Sequence, residues 1–260
     1  MALFISVINH NHDDMICDNP TLRNLAKEHT VIIKSNTLAS QKLTDYCSSS
    51  LIHLIQGQKT KGFGANNNEV FHYAEHKLGM AENDHFLVLN PDVEVANTTI
   101  NKLLVQSSAD KCAISTINLF RNREMTKYDN SIRHFPSLLN PIKSLLKIKN
   151  TNHYDKDKIC RPTQVDWAAG SFLLFKSGVY KNLGGFNEEY FMYFEDVDIC
   201  KRASEQLHQK LTYFPQYKAI HFAQHSNRNI LSKTFLFYMK SYFLYFRISR
   251  LPSIKKLLWK

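Results

Sequence analysis

The five cysteines, at positions 17, 47, 112, 160 and 200, include no C-x-x-C pair and are odd in number. That spacing excludes a disulfide framework and a cysteine zinc site, and it is the usage of reduced thiols in a cytosol. No window approaches the roughly 20 apolar residues that a membrane span requires, so an integral protein is excluded. Met1 to Ile8 is apolar but only about one strand long, is followed at once by Asn9, His10, His12, Asp13 and Asp14, and carries no basic leader. No signal peptide is therefore expected. Internal repeats and low-complexity tracts are lacking. So is acid near the end: Ser232 to Lys260 holds Lys233, Lys240, Arg247, Arg250, Lys255, Lys256 and Lys260 and no Asp or Glu. Most of the net charge of +10 sits in that stretch, which predicts a polyanionic surface as its partner.

What is present is a globular composition. The 260 residues are 43% hydrophobic and 22% charged, enough for one large α/β domain with an appendage or for two small domains. Leu3 to Ile8 and His29 to Lys34 are short apolar runs separated by a helical pattern around Leu22, Leu25 and Ala26, the βαβ rhythm of a buried parallel sheet. A third strand is expected over Ser50 to Ile55, leading into the loop Lys61-Gly62-Phe63-Gly64-Ala65-Asn66-Asn67-Asn68 and then a helix through Val70, Ala74 and Leu78. A fourth strand, His85 to Leu89, stops at Asn90-Pro91-Asp92, because proline cannot continue a central strand. Asp92 is thereby presented at a strand's carboxyl end, where open α/β sheets bind ligands.

A helix near Thr98 to Ser107 and a strand over Cys112 to Asn118 follow. Arg121 to Gln164 is basic, rich in Asn, Asp and Pro, and reads as a long surface insertion with a short amphipathic helix over Leu138 to Ile148. Asp166-Trp167-Ala168-Ala169-Gly170-Ser171 leads into the strand Phe172 to Phe175. After Gly184-Gly185-Phe186 and a run of aromatics, Glu195-Asp196-Val197-Asp198 opens a helix with Val197, Cys200 and Leu207 on its inward stripe. Leu211 to Phe214 and Lys218 to Phe222 are expected as a closing strand pair ending near His221 and His225.

The order of Lys61-Gly-Phe-Gly-Ala-Asn-Asn, Asn90-Pro-Asp, Trp167-Ala-Ala-Gly-Ser, Gly184-Gly-Phe, Glu195-Asp-Val-Asp and a strand ending in His resembles the inverting family 2 glycosyltransferases, in particular their rhamnosyltransferase branch, over roughly residues 1 to 230. The resemblance implies a GT-A fold, an α/β architecture with a mixed, mostly parallel sheet flanked by helices. Residues 1–118 would form its nucleotide-sugar half, 165–230 its acceptor and catalytic half, and 121–164 the basic insertion. It further implies transfer of L-rhamnose from dTDP-L-rhamnose, or of another sugar from a UDP-linked donor, to a polyprenyl-pyrophosphate-linked saccharide in O-antigen or similar surface-polysaccharide assembly.

By the same resemblance Asp92 holds Mg2+ or Mn2+, with His221 as a second metal ligand, and Asp196 is the catalytic base. A divalent ion suits a diphosphate leaving group, whose departure builds negative charge, and a carboxylate can take the acceptor hydroxyl's proton as it attacks. Gly62, Phe63, Gly64, Asn66 and Asn67 are expected around the nucleotide, with Asn9, His10 and Asn36 at the first two strand ends for the base. Lys34-Ser35-Asn36 departs from the family pattern, in which an aspartate commonly precedes the asparagine. Asn90, Trp167, Gly170, Glu195 and Asp198 complete the expected substrate site, and Arg133, Lys143 and Lys147 are placed at the acceptor pyrophosphate.

Blander readings stand beside these. Asp92 also fits an ordinary turn aspartate and His221 a structural histidine. At about 100° per residue Glu195 and Asp198 share one helix face and Asp196 another, so the first two also fit helix-start carboxylates, with Asp198 paired to Arg202 at i,i+4. Trp167, Tyr190, Phe191 and Tyr193 fit either an acceptor platform or core.

Residues 231–260 fit a basic amphipathic helix. Phe235, Met239, Tyr242 and Phe246 form one stripe and Lys233, Lys240 and Arg247 another, the pattern of an interfacial helix lying on anionic lipid; the resemblance, with its lipid-linked acceptor, implies a peripheral place on the cytoplasmic face of a bacterial inner membrane. The alternative is packing on the chain's own domain or in a homodimer. Nucleic acid is not the expected partner, since the basic residues gather at one end without a recognition motif.

Overall fold

The computed structural model describes residues 1–137, 152–223 and 233–249. The expected helix over Leu138 to Ile148, and Lys143, Lys147 and His225, lie outside the described residues.

Strand β1 (Leu3–Asn9) is followed by two short helices, α1 (Asp13–Asp18) and α2 (Pro20–Leu25), rather than the single expected one. The break is local: Asn19 accepts the Thr21 N–H through its side chain and Pro20 fits only a first helical turn. Next come β2 (Thr30–Ser35), α3 (Gln41–Ser49), β3 (His53–Gln56), α4 (Phe63–Leu78) and β4 (His85–Leu89). β5 (Val93–Glu94), α5 (Asn97–Ala109) and β6 (Ile114–Phe120) continue the chain. β7 (Ile132–Arg133), β8 (Thr163–Val165), β9 (Trp167–Ala168), β10 (Phe172–Lys176) and α6 (Ser177–Asn182) follow. The last described elements are α7 (Glu195–Gln206), β11 (Leu211–His221) and α8 (Lys233–Ser249).

The nine-stranded sheet runs β3-β2-β1-β4-β10-β6-β11-β5, with β8 against the first half of β11. β3, β2, β1 and β4 are parallel to one another, and β11 is parallel to β6. β10 is antiparallel to both its neighbours, β4 and β6. The carboxyl ends of β1, β2, β4, β6 and β11 and the amino end of β10 therefore share one edge. Two apolar clusters fill the two faces: Ile5, Val7, Ile33, Leu87 and Phe172 on one, Phe86, Val88, Leu173, Phe175 and Tyr180 on the other. Such two-sided burial is why these strands are continuous apolar runs rather than alternating ones.

Two expected elements change. The closing pair is one strand, β11, whose register with β6 shifts between Phe214 and Lys218. Pro215 lies in that irregularity, where its missing N–H breaks no regular ladder. The loop expected over Lys61 to Asn68 is helical from Phe63. Asn66 donates to the Gly62 and Lys61 carbonyls and Asn67 to that of Phe63, so asparagines that usually compete with a helix here bond back into its first turn.

Candidate active site

At the shared edge β4 ends at Leu89 and turns through Asn90 and Pro91 to Asp92, while β11 ends at His221. The Asp92 carboxylate lies 3.4 Å from His221 Nε2. On the other side of the ring, Nδ1 is 2.7 Å from a carboxylate that the sequence did not single out, Asp129, only 7% exposed. Arg121 lies 3.5 Å from the other oxygen of Asp129. Burial opposes charge on His221, but the bonds to Asp129 and Asp92 outweigh it and lift the imidazole to about 9. Burial likewise works against ionisation of Asp92 and Asp129, and the His221 bond and charge override it, holding both carboxyls below their usual range. The residues fit a divalent ion once binding displaces the His221 proton: a carboxylate oxygen and an imidazole nitrogen 3.4 Å apart, each mostly buried at an open sheet edge.

The second constellation is built on α7. Glu195 and Asp198 are buried, 6% and 4% exposed, and Asp196 on another face is half-buried. Asp198 bonds Arg202 at 2.7 Å, so it is the structural helix carboxylate of the blander reading rather than a substrate ligand. Glu195 packs beside Gly64, and one of its oxygens has no hydrogen-bond partner. Burial, and secondarily the Asp196 charge, push its carboxyl well above the usual range and favour its neutral form. Asp196 accepts from the Gly170 N–H at 3.1 Å and the Val197 N–H at 2.9 Å. Burial raises it too, but those N–H groups and the charge of Arg133 oppose the shift. Of this adjacent pair, Asp196 is the one whose negative form is supported by N–H groups and a nearby guanidinium, and the upward shift makes it a better proton acceptor than an exposed aspartate.

The backbone ties the two constellations together. The Asn90 N–H donates to the Ser171 carbonyl, and the neighbouring Gly170 donates to Asp196. β7 pairs with β9 so that Arg133 faces Trp167, with its guanidinium 5.4 Å from the indole ring centroid. Arg133, Trp167, Gly170 and Asp196 are thus neighbours. Ahead of α7, Tyr193 and Phe194 both adopt left-handed backbone (φ 69° and 70°), a strain of about 1–3 kcal/mol each. That segment is over-determined: the Phe191 carbonyl accepts the Phe63 N–H, the Met192 carbonyl accepts the Ser241 hydroxyl, and Phe194 packs among Tyr238, Tyr242 and Tyr245.

Several expected ligand contacts turn inward instead. Asn66 and Asn67 are fully buried: the Asn66 NH2 bonds back to the start of α4 while its Oδ1 has no partner, and the Asn67 amide is spent on the Phe63 carbonyl and the Ser6 hydroxyl. A side chain at Gly62 would collide with the Phe191 backbone, one at Gly64 would meet Phe186 at 2.8 Å, and one at Gly170 would meet Phe63 at 2.9 Å. Each of these glycines thus permits a close approach between segments distant in sequence. Asn9 is buried and bonds Asp13, Ser35 and the His12 N–H. Asn36 exchanges bonds with the Lys61 backbone and lies 3.4 Å from the exposed His10. Tyr190 is buried in the cluster under α8, so it is core, whereas Phe191 is 37% exposed.

α8 also corrects an expectation. Tyr242, from the stripe assigned to lipid, is 4% exposed and, with Tyr245, packs on Tyr190, Phe194 and Val197 of its own chain. The face left open carries Leu236 and Phe243, 66% and 65% exposed, with Lys240 exposed between them. No helix among the described residues is long and apolar enough to cross a membrane.

No family profile matches the sequence. Over 253 residues the chain is 34% identical to rhamnosyltransferase WbbL of Escherichia coli K12, covering 96% of this chain and 95% of that protein. The chain belongs to the rhamnosyltransferases. This rhamnosyltransferase is also 31% identical over 151 residues to the N-acetylglucosaminyl-diphospho-decaprenol L-rhamnosyltransferase of Mycobacterium tuberculosis, covering 55% of this chain and 48% of that one. Among solved structures, GalNAc-T7 with UDP, GalNAc and Mn2+ superposes with a TM-score of 0.58 at 14% identity, over 94% of this chain and 47% of that one. S. aureus TarS 1-349 with UDP gives 0.55 at 14%, over 85% and 60%. Those structural likenesses establish the GT-A glycosyltransferase fold.

Proposed function

We propose that this glycosyltransferase moves L-rhamnose from dTDP-L-rhamnose, with inversion, onto a saccharide carried by a pyrophosphoryl polyprenol in surface-polysaccharide assembly. The observation that carries the reading is an Asp196 carboxylate gripped by the Gly170 and Val197 N–H groups in a chain that matches a rhamnosyltransferase along nearly its whole length. Asp196 would take the acceptor hydroxyl's proton, with Gly170 N–H fixing its carboxylate and Trp167 and Arg133 beside it to receive the acceptor. Asp92 and His221 would hold the divalent ion, which when bound offsets charge on the departing diphosphate.

The reaction is tested by incubating the protein with Mn2+, a polyprenyl-pyrophosphoryl N-acetylglucosamine acceptor and, in parallel, dTDP-rhamnose or UDP-linked sugars. Rhamnosylated lipid from the dTDP donor alone is expected; turnover only with a UDP sugar would overturn the donor assignment.

The same reading places the enzyme peripherally on the cytoplasmic face of the inner membrane. The open stripe of α8 supports it, since apolar Leu236 and Phe243 flank basic Lys240 in the pattern of an interfacial helix. Leu236→Glu with Phe243→Glu should lower sedimentation with anionic vesicles, and unchanged sedimentation would sink that placement.

A further inference from the structure

His221 has two ring nitrogens, and what each meets decides what the ring can do. Nε2 faces Asp92 at 3.4 Å, while Nδ1 is 2.7 Å from Asp129. Asp129 is not loosely attached. Its backbone N–H donates to the Leu119 carbonyl at the end of β6, its second oxygen lies near Arg121, and its side chain is nearly removed from water. It comes from the start of the segment that composition marked as a surface insertion, just after the turn that bridges Phe120 to Tyr128. A carboxylate is acceptor-only, so the ring nitrogen beside Asp129 must carry a proton. The lone pair of a neutral His221 is thereby confined to Nε2, the nitrogen that faces Asp92.

We infer that Asp129 is a positioning residue for the metal site, fixing His221 in the tautomer and orientation in which Nε2 and the Asp92 carboxylate converge on one divalent ion. The inference rests on the assignment of Asp92 and His221 as ligands. A carboxylate behind a metal-bound imidazole also makes the imidazole a stronger donor, and removing such a partner typically costs 10–100-fold in affinity.

The experiment is direct Mn2+ binding to the full chain without nucleotide, read by electron paramagnetic resonance, with pulsed measurement of the imidazole nitrogen coupling. The parent should bind Mn2+ with an imidazole coupling that Asp92→Ala weakens and His221→Ala abolishes. Asp129→Ala should bind about 10–100-fold more weakly and lose most of that coupling. Asp129→Asn, whose carbonyl can still accept the Nδ1–H, should keep the coupling and lose a smaller factor. Mn2+ affinity within twofold of the parent, with the coupling intact, in Asp129→Ala would overturn the inference while leaving the ligand assignment standing. If the alanine variant does not fold, unchanged affinity in Asp129→Asn overturns it equally. A parent that binds no Mn2+, or binds it without imidazole coupling, overturns the ligand assignment and the inference together.

Discussion

Asp92 and Asp129, at the ends of the sheet strands, and Glu195 and Asp196, at the head of α7, are carboxylates in similarly buried settings with opposite behaviour. At the sheet edge both acids are held ionised, because His221 lies between them and Arg121 stands behind Asp129. At the helix head burial raises both carboxyls, Glu195 further through the Asp196 charge, while N–H groups and Arg133 oppose the shift at Asp196. Burial alone therefore does not set the charge state. The sign of the neighbouring charge does, together with how many N–H groups reach the carboxylate. A site of the first kind suits a cation, and a site of the second kind suits proton transfer.

The difference is most exposed by substitution at Asp196. Asp196→Asn removes the carboxylate assigned as the base, and transfer should fall by about 10²–10⁴-fold, the usual contribution of a general base. Initial rates at saturating donor and acceptor check this, and an asparagine variant as active as the parent would remove the base assignment.

At the sheet edge the contrast is sharpened by pH. His221 in the folded, metal-free chain is raised from 6.5 to about 9, so its contribution to stability is fully present below pH 6.5 and is lost as pH rises through 9. Metal-free protein should lose about 1 kcal/mol of stability per pH unit between pH 7 and 8, the slope of one linked proton. His221→Asn should lack that slope in urea melts. Lys156, whose burial lowers its amine to about 8, acts in the opposite sense. Its penalty on the folded state is relieved only as pH rises from about 8 toward its unfolded value of 10.5, which is why the window below pH 8 is the informative one.

The smallest effect is expected at Glu195. A protonated carboxyl is nearly isosteric with an amide, so Glu195→Gln should change turnover by less than about tenfold and stability by under about 1 kcal/mol. A loss as large as that of Asp196→Asn would show that Glu195 is ionised and would dissolve the contrast drawn within α7.

Much of the frame was legible in the chain. The apolar runs of β1, β2 and β4 are continuous because both faces are covered, and proline at Asn90-Pro91-Asp92 forces the turn that presents Asp92. Helical geometry separated Asp196 from Glu195 and Asp198 and foresaw the Asp198–Arg202 pair, since i,i+4 neighbours meet wherever a helix forms. Asn66 and Asn67 were less legible. Asparagine signals a loop by propensity, and only the packing of α4 against β1 and the aromatic segment at Phe186 makes bonding back into the helix favourable. The face of α8 was misjudged for the same reason: spacing defines stripes, but which stripe is inside depends on what the helix meets, here Tyr190 and Phe194.

The sequence by itself determined the order of elements, the strand ends at Asp92 and His221, and the angular separation of the α7 carboxylates, because these follow from local steric rules and helix periodicity. Tertiary structure alone decided that Asp129 stands 2.7 Å from a histidine 92 positions away, which acids are ionised, and which side of α8 faces out. Each of those depends on long-range neighbours and on burial, and pattern along the chain encodes neither.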